Sequence, residues 1–339
     1  MKKNSKELIL LGIFVFLFIL MSVLSPSRFL SLRNLQSMAF QLPEFGILSL
    51  AMMIVIVTGG INLSVVSTSA LAGIVAAMTM AHYNSVSGLS GLSATILIII
   101  SIAACAVVAL ASGAFNGFII AYIGVSPVLA TLGTMTLFEG ISLNFTKGGA
   151  ISGLPEQFSW FGNGTIGFIP VPMIIFIIVT IITIILLEHT PWGLSVYMTG
   201  CNPVATMFSG INVKMVLMKV YLYSALLGGV AAIVMTSRYN SAKVDYGSSY
   251  MLQSVAASVL GGTNIAGGYG KVLGTVTAVA ILQIVSSGLN ILGINRYIVD
   301  IIMGGILIVT LSINFFTSKR KKAGGRSVML DGLEIDVKD

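Results

Sequence analysis

Two carboxylates, Glu139 and Asp300, stand within apolar segments of this chain. A charged side chain in hydrocarbon costs several kcal/mol unless it pairs or meets water, so such residues are where proton relays and ligand contacts are sought. Glu139 lies roughly two helical turns from the end of its segment. From there it can hydrogen-bond ligand hydroxyls, or pair with a base such as Arg238 or Arg296 and so fix helix packing. Asp300 lies near a segment end and reads as hydrated. Neither has the partners of a proton relay. The remaining polar residues within the segments are neutral: Asn116, Thr131, Thr134, Thr136, Asn144, Gln253, Thr263, Asn264 and Gln283. Amides and hydroxyls suit the path of an uncharged, hydroxyl-rich ligand, and they serve equally as interhelical hydrogen bonds of roughly 1 kcal/mol each. The sequence contains no nucleotide-cradling glycine motif followed by Lys-Ser or Lys-Thr, no metal-ligand cluster and no nucleophile beside a base. Catalytic, metal and cofactor residues are therefore not expected. Work against a gradient has to draw on ion coupling or on a partner.

The segments that hold these residues are membrane spans. Hydrophobic residues make up 56% of the 339 and charged residues 9%, against roughly 25% charged in soluble domains. Apolar runs that read as spans recur at 8–24, 35–58, 65–81, 94–115, 127–146, 168–187, 220–236, 250–260 (rather short), 272–289 and 297–315. The fold class is thus an all-α polytopic membrane protein of about ten transmembrane helices. The first run follows Lys2, Lys3 and Lys6 but lacks a small-x-small cleavage site, so it reads as a retained span. Polar loops are expected at 82–93 and 147–167, and Gly113 and Gly117 have the spacing that lets membrane helices approach closely.

Charge sets the orientation. With the N-terminus inside, twelve of the eighteen Lys and Arg residues fall on the inner side and six on the outer, which places both termini and the central stretch 188–219 in the cytoplasm. The net charge of +7 sits at membrane boundaries and in the tail, so it points to a lipid bilayer and not to nucleic acid. Cys105 and Cys201 imply no disulfide framework. The polar end from Asp331 has the composition of a disordered tail.

Within 188–219 the sequence marks a short helix. Asn202 is a capping residue, Pro203 fits the first helical position, and Gly210 suits a left-handed stop. The resulting helix, 203–209, carries Val204, Met207 and Phe208, more apolar surface than a helix in water displays. It reads either as a plug for a partner's groove or as a loop helix lying on its own membrane domain. Flanking it, Gly59-Gly60-Ile61-Asn62-Leu63-Ser64 and Gly261-Gly262-Thr263-Asn264-Ile265-Ala266 share a Gly-Gly-x-Asn-aliphatic-small pattern. Broken helices at matching places in two halves point to a transport site.

From the first span to Phe315 the chain resembles the permease subunits of bacterial ABC importers for simple sugars. These are the ribose/xylose-type branch related to the branched-chain amino acid permeases. The resemblance rests on Thr58-Gly59-Gly60-Ile61-Asn62-Leu63-Ser64, Phe115-Asn116-Gly117, Ala130-Thr131-Leu132-Gly133-Thr134-Met135, Gly200-Cys201-Asn202-Pro203-Val204-Ala205, Ser209-Gly210-Ile211-Asn212-Val213 and the run from Leu260 to Gly270. It implies a single permease domain over 1–318 with a coupling loop at 188–219, followed by a basic then polar tail at 319–339. It also implies a cytoplasmic (inner) membrane location, two cytoplasmic ATPase subunits that bind the ATP, an extracytoplasmic sugar-binding protein, and a second permease copy, identical or paralogous. In such importers the central helix docks in the ATPase, which assigns Gly200, Asn202, Pro203, Ala205, Met207, Phe208, Ser209 and Gly210 to coupling. Asn62, Ser64, Asn116, Thr131, Thr134, Glu139, Gln253 and Asn264 are then candidates for the substrate path. Two departures stand out. Asn62 replaces the family's more usual Asp, and Glu139 stands where many relatives carry a basic residue. The cargo stays open among monosaccharides, polyols, nucleosides, furanosyl signals and branched-chain amino acids, and an ion-coupled transporter is a further alternative.

Overall fold

The computed structural model describes residues 5–86 and 91–310 except 296 and 300, together with residue 312. The expected tail, Asp300 and Arg296 lie outside the described residues. In chain order the helices are α1 (Ser5–Leu24), α2 (Pro26–Phe29), α3 (Leu32–Val57), α4 (Val65–Val86), α5 (Gly91–Phe118), α6 (Pro127–Thr146), α7 (Glu156–Asn163), α8 (Val171–Glu188), α9 (Pro191–Cys201), α10 (Pro203–Phe208), α11 (Val213–Tyr239), α12 (Tyr250–Leu260) and α13 (Val272–Ile291). A π-helical turn, Ile119–Ile123, extends α5. Six of the described helices are long and apolar enough to cross a membrane, and four shorter apolar stretches, Leu10–Leu24, Val65–Ala81, Tyr250–Leu260 and Tyr297–Thr310, accompany them. The protein is a helical, multi-pass membrane protein.

α3 and α11 form its centre. α3 is buried on every side from Pro43 to Val57, and an all-round apolar helix is stable only inside a bundle. α11 packs along α3, α4 and α5. Close contact is possible because small residues line the seam: a Cβ added at Gly113 would lie 2.6 Å from Ala225 Cβ, and one at Gly117 would lie 2.8 Å from Met218 Sδ. That is the role anticipated for this glycine pair, and without a hydrophobic drive between helices such packing is what holds membrane bundles together. The outer faces of α5 and α8 expose Ile96, Ile99, Val107, Ile177, Ile181 and Ile185, as lipid-facing surface should.

Two expected loops carry more structure than the sequence suggested. α4 continues through His82 to Val86. The segment 147–167 contains α7 and contributes one strand to each of two short antiparallel pairs, Ile151–Ser152 with Ser241–Ala242 and Thr165–Ile166 with Ile169–Pro170. α7 seats on the last turn of α11. Ser237 Oγ donates to Phe158 O at 2.5 Å, and Asn163 Nδ2 donates to Arg238 O at 3.1 Å. The seventh span is also longer than 220–236, because Asn212 caps α11 from outside by accepting the Met215 N–H.

At the opposite end of α11, beside α7, lies an ion pair the sequence did not reveal. Arg238 Nη1 stands 3.1 Å from Glu44 Oε1, and the Glu44 side chain is fully buried. Oε1 meets the guanidinium as a charge contact without hydrogen-bond angles, whereas Oε2 accepts from the Tyr239 hydroxyl at 3.4 Å. The guanidinium also donates to Phe40 O at 3.3 Å. Arg238 therefore joins α3 to α11, and Glu139, which makes no hydrogen bond or ion pair among the described residues, is not its partner. Removing one member of a buried pair strands the other charge, at about 3–5 kcal/mol. Arg238→Ala is accordingly expected to lower the thermal midpoint of the detergent-purified protein sharply, and the double variant Glu44→Gln/Arg238→Gln to recover most of the loss. Equal midpoints for Arg238→Ala and the parent protein would refute the assignment.

Candidate functional site

The capped helix forms where its local signals put it. Asn202 Oδ1 accepts the Val204 and Ala205 N–H groups at 3.0 and 3.1 Å, and Pro203 occupies the first turn. Gly210 adopts φ +82°, and its N–H donates to Met207 O at 3.0 Å. Helix α10 ends at Phe208, one residue before the expected end, because Ser209 already leaves the helical backbone as its cap. Its two faces differ sharply. Thr206 is 2% exposed, whereas Val204 and Met207 are 58% exposed and Phe208 83%. The helix rests on α9 and α11 through the Thr206 side, and the apolar knob of Val204, Met207 and Phe208 points away from the bundle.

Helix α9, unanticipated within the 188–219 stretch, anchors α10 to the membrane domain. It starts from Thr190, whose side chain caps it by accepting the Gly193 N–H. At its other end Gly200 meets two backbones at once: a Cβ added there would fall on Val57 O and within 2.5 Å of Gly268 N. The Gly268 N–H donates to Val57 O at 2.8 Å. Val57 O is one of the carbonyls that α3 leaves unpaired at its C-terminus, and with Val57 fully buried such a group must find a protein donor. The junction thereby brings together both glycine-rich breaks and the residue that leads into α10. Tyr197 adds a further clamp, its hydroxyl donating to Gly270 O at 2.9 Å. Burial, reinforced by the nearby Glu188 carboxylate and by Tyr269, pushes this phenol up to about 12, so it stays protonated as the donor.

Five of the eight path candidates converge in one buried network. The Thr134 hydroxyl donates to Asn116 Oδ1 at 2.7 Å and Asn116 Nδ2 to Ser64 Oγ at 2.8 Å. Ser64 Oγ donates to Asn62 Oδ1 at 2.8 Å, Asn62 Nδ2 to Ser224 Oγ at 3.1 Å, and Ser224 Oγ to Ala51 O at 2.8 Å. Each hydroxyl passes one proton on, so the chain closes on a backbone carbonyl without an orphan. Beside it Thr131 accepts the Leu63 N–H at 3.1 Å, tying the non-helical segment between α3 and α4 to α6. All five residues are at most 4% exposed. In this conformation they act as interhelical bonds that hold the break, and they do not line an open path. Ser224, the member that completes the network, carried no distinguishing signal on its helical segment.

The other three candidates sit elsewhere. Glu139 and Gln253 are half-buried and apart from the network. Asn264 shapes the second break, its Oδ1 accepting the Ala266 N–H at 3.2 Å and its backbone N–H donating to Tyr269 O at 2.9 Å. The two breaks echo each other in sequence and lie in contact: a Cβ on Gly59 would stand 3.5 Å from Ala266 O. Because Gly200 occupies a spot with no room for a Cβ, Gly200→Ala is expected to lower the thermal midpoint in detergent well below that of Gly133→Ala, whose Cβ would meet nothing. Equal midpoints for the two variants would show that the junction yields without cost.

Comparison with known proteins bears on what this arrangement serves. The family model described as "Branched-chain amino acid transport system / permease component" matches residues 34–311. The chain is 36% identical over 306 residues to the ribose import permease protein of Bacillus subtilis, covering 90% of this chain and 91% of that one. It is 33% identical over 320 residues to the galactose/methyl galactoside import permease protein of Salmonella typhimurium, covering 92% and 95%. To the D-allose transport system permease protein of Escherichia coli it is 30% identical over 312 residues, covering 91% and 92%. No solved structure matches. With four-fifths of its length inside the family model and relatives matched nearly end to end, the chain belongs to the family of branched-chain amino acid transport system permease components.

Proposed function

We propose that this chain is the membrane-spanning permease subunit of an ATP-driven importer that passes a monosaccharide or similar polyol across the bacterial cytoplasmic membrane. The observation that carries the reading is the 83% exposed Phe208 at the tip of α10, a helix seated through Gly200 on both membrane breaks. It is supported by relatives named for ribose, galactose and allose transport. Val204, Met207 and Phe208 form an i, i+3, i+4 apolar stripe, the pattern with which a helix enters a partner's groove. The positive-inside bias puts α10 in the cytoplasm, where an ATPase subunit would receive it, and runs the ten apolar segments with both termini on that side. An extracytoplasmic sugar-binding protein would deliver the cargo to the α7 end, and a second permease copy would complete the translocation path. The chain binds no ATP and catalyses no reaction on this reading. The buried Glu44 carboxylate pairs with Arg238, a packing contact between helices that gives an ion-coupled mechanism no specific support.

ATP-driven closure of the partner would then press α10, and the junction would pass the displacement to the breaks. Phe208→Asp places a carboxylate where the knob enters the groove. Sugar uptake by cells carrying the chain with its ATPase and binding protein is expected to fall at least about tenfold, the effect of roughly 1.4 kcal/mol at the interface. The variant's thermal midpoint should stay unchanged, because Phe208 touches solvent in the isolated chain. Ribose, galactose or allose uptake that persists at full rate after deletion of every candidate ATPase would overturn the proposal.

A further inference from the structure

One buried polar group has no partner in either the junction or the network. Tyr221, on the inner face of α11, is 1% exposed, and its hydroxyl makes no hydrogen bond among the described residues. An unpaired buried hydroxyl costs about 1–3 kcal/mol, so a tyrosine here is a burden unless something external pairs with it. The hydroxyl ends beside Gly60, where a Cβ would stand 3.0 Å away, so the glycine leaves it room. Both residues line a cleft of about 240 Å³ whose walls also include Pro127, Thr199, Pro203 and Leu217. That space corresponds to roughly eight waters at about 30 Å³ each, the scale of a pentose or hexose. Ser126 adds a hydroxyl and Thr58 a hydroxyl oxygen whose proton is already donated to Val55 O, and no Asp, Glu, Lys, Arg or His lies on the walls. Helix α6 begins here at Pro127 with no side-chain cap, so its partly positive end faces any oxygen held in the cleft.

We propose that this cleft is a binding station for a small neutral polyol, with the Tyr221 hydroxyl as its anchoring hydrogen-bond partner. The assignment rests on the import function proposed above and names a place for the cargo beside α10. A charged ligand would have to shed its hydration against walls without a counter-charge, which disfavours it. Thr199 and Pro203 belong to α9 and α10, so occupancy and the position of the coupling stretch are linked, and whatever moves α10 changes the affinity of the cleft to the same degree that the ligand biases α10.

The test uses the full chain in nanodiscs and saturation-transfer NMR with millimolar ribose, galactose, leucine or inorganic phosphate as probes. Saturable ribose or galactose signals are expected from the parent protein. Tyr221→Phe should weaken them up to about tenfold, the value of one hydrogen bond, while the thermal midpoint holds or rises because an unpaired hydroxyl has gone. Leu217→Trp, which fills the cleft from its wall, is the second variant and should abolish the signals without touching a hydrogen bond. Sugar signals equal in all three proteins would overturn the station, as would saturation by leucine or phosphate in place of the sugars. Uptake measured in parallel separates the two readings. If the parent imports none of the sugars, the import function fails. If the parent imports ribose or galactose and both variants do so with unchanged KM and rate, only the station fails.

Discussion

The hydrogen bond from the Gly268 N–H to Val57 O is the contact on which the rest of the molecule depends. It exists because a helix that stops at a buried residue, as α3 does at Val57, leaves carbonyls that only protein donors can satisfy. α3 stops there, and its carbonyl is answered by the second glycine-rich break. That contact brings two chain segments, remote in sequence, to the same point. A third backbone then enters at Gly200, and only a residue without a Cβ fits between the other two. The bundle thus has a place where the elements leading into α10, α4 and α13 touch through main-chain atoms. Main-chain contacts transmit small displacements with little loss, since no rotamer can absorb them. Side-chain packing around a long loop would not.

The polar network at mid-bundle answers the same constraint by other means. Between Gly59 and Ser64 the chain is not helical, and its polar groups must be satisfied within the protein. Thr131 meets the backbone there, and Asn62, Ser64, Asn116, Thr134 and Ser224 satisfy one another in sequence. Asn at position 62 suits this task, because an amide both donates to Ser224 and accepts from Ser64, whereas a carboxylate could only accept. A closed network of neutral groups leaves little to grip a passing solute. On the import reading, affinity for the cargo would then reside mainly in the binding protein, with the permease offering a path that switches.

What the sequence disclosed follows the range of the physics. Asn202, Pro203 and Gly210 act on their own neighbours, so α10 was legible to within one residue. The close approach at Gly113 and Gly117 was legible too, since the spacing is itself the packing rule. The Glu44–Arg238 pair was not, because its members lie on different helices far apart in the chain and Glu44 reads as a residue near a span start. Glu139 stands out in the sequence by its depth, yet the partner of Arg238 is Glu44. α9 and α7 were missed for a related reason. Each is held by contacts with distant elements, Gly200 on Val57 and Asn163 on Arg238, although α9 also carries a local start signal in Thr190-Pro191. The path candidates divide along the same line, in that residues beside the first break converge while Gln253 and Glu139 face other surroundings.

The two ends of α11 are held differently, and that difference suggests how the bundle moves. At one end Arg238 is locked to Glu44 and covered by α7, with a charge, an aromatic hydroxyl and two backbone carbonyls all engaged. At the other end α11 starts at Val213 from a side-chain cap, one short loop after the exposed α10, beside a cleft rather than a packed wall. A helix of 27 residues held by an ion pair at one end and bordered by a cleft at the other would pivot about the Arg238 end. A push on α10 would then be largest at Val213, intermediate at Ser224 and smallest at Arg238. Ser224 is the hinge of the polar network, since it alone joins Asn62 to the carbonyl of Ala51 on α3. Even a modest swing there stretches two hydrogen bonds at once. The break between α3 and α4 would feel the α10 position through Gly200 at its start and through Ser224 at its end, and two contacts on one short segment set both its place and its tilt.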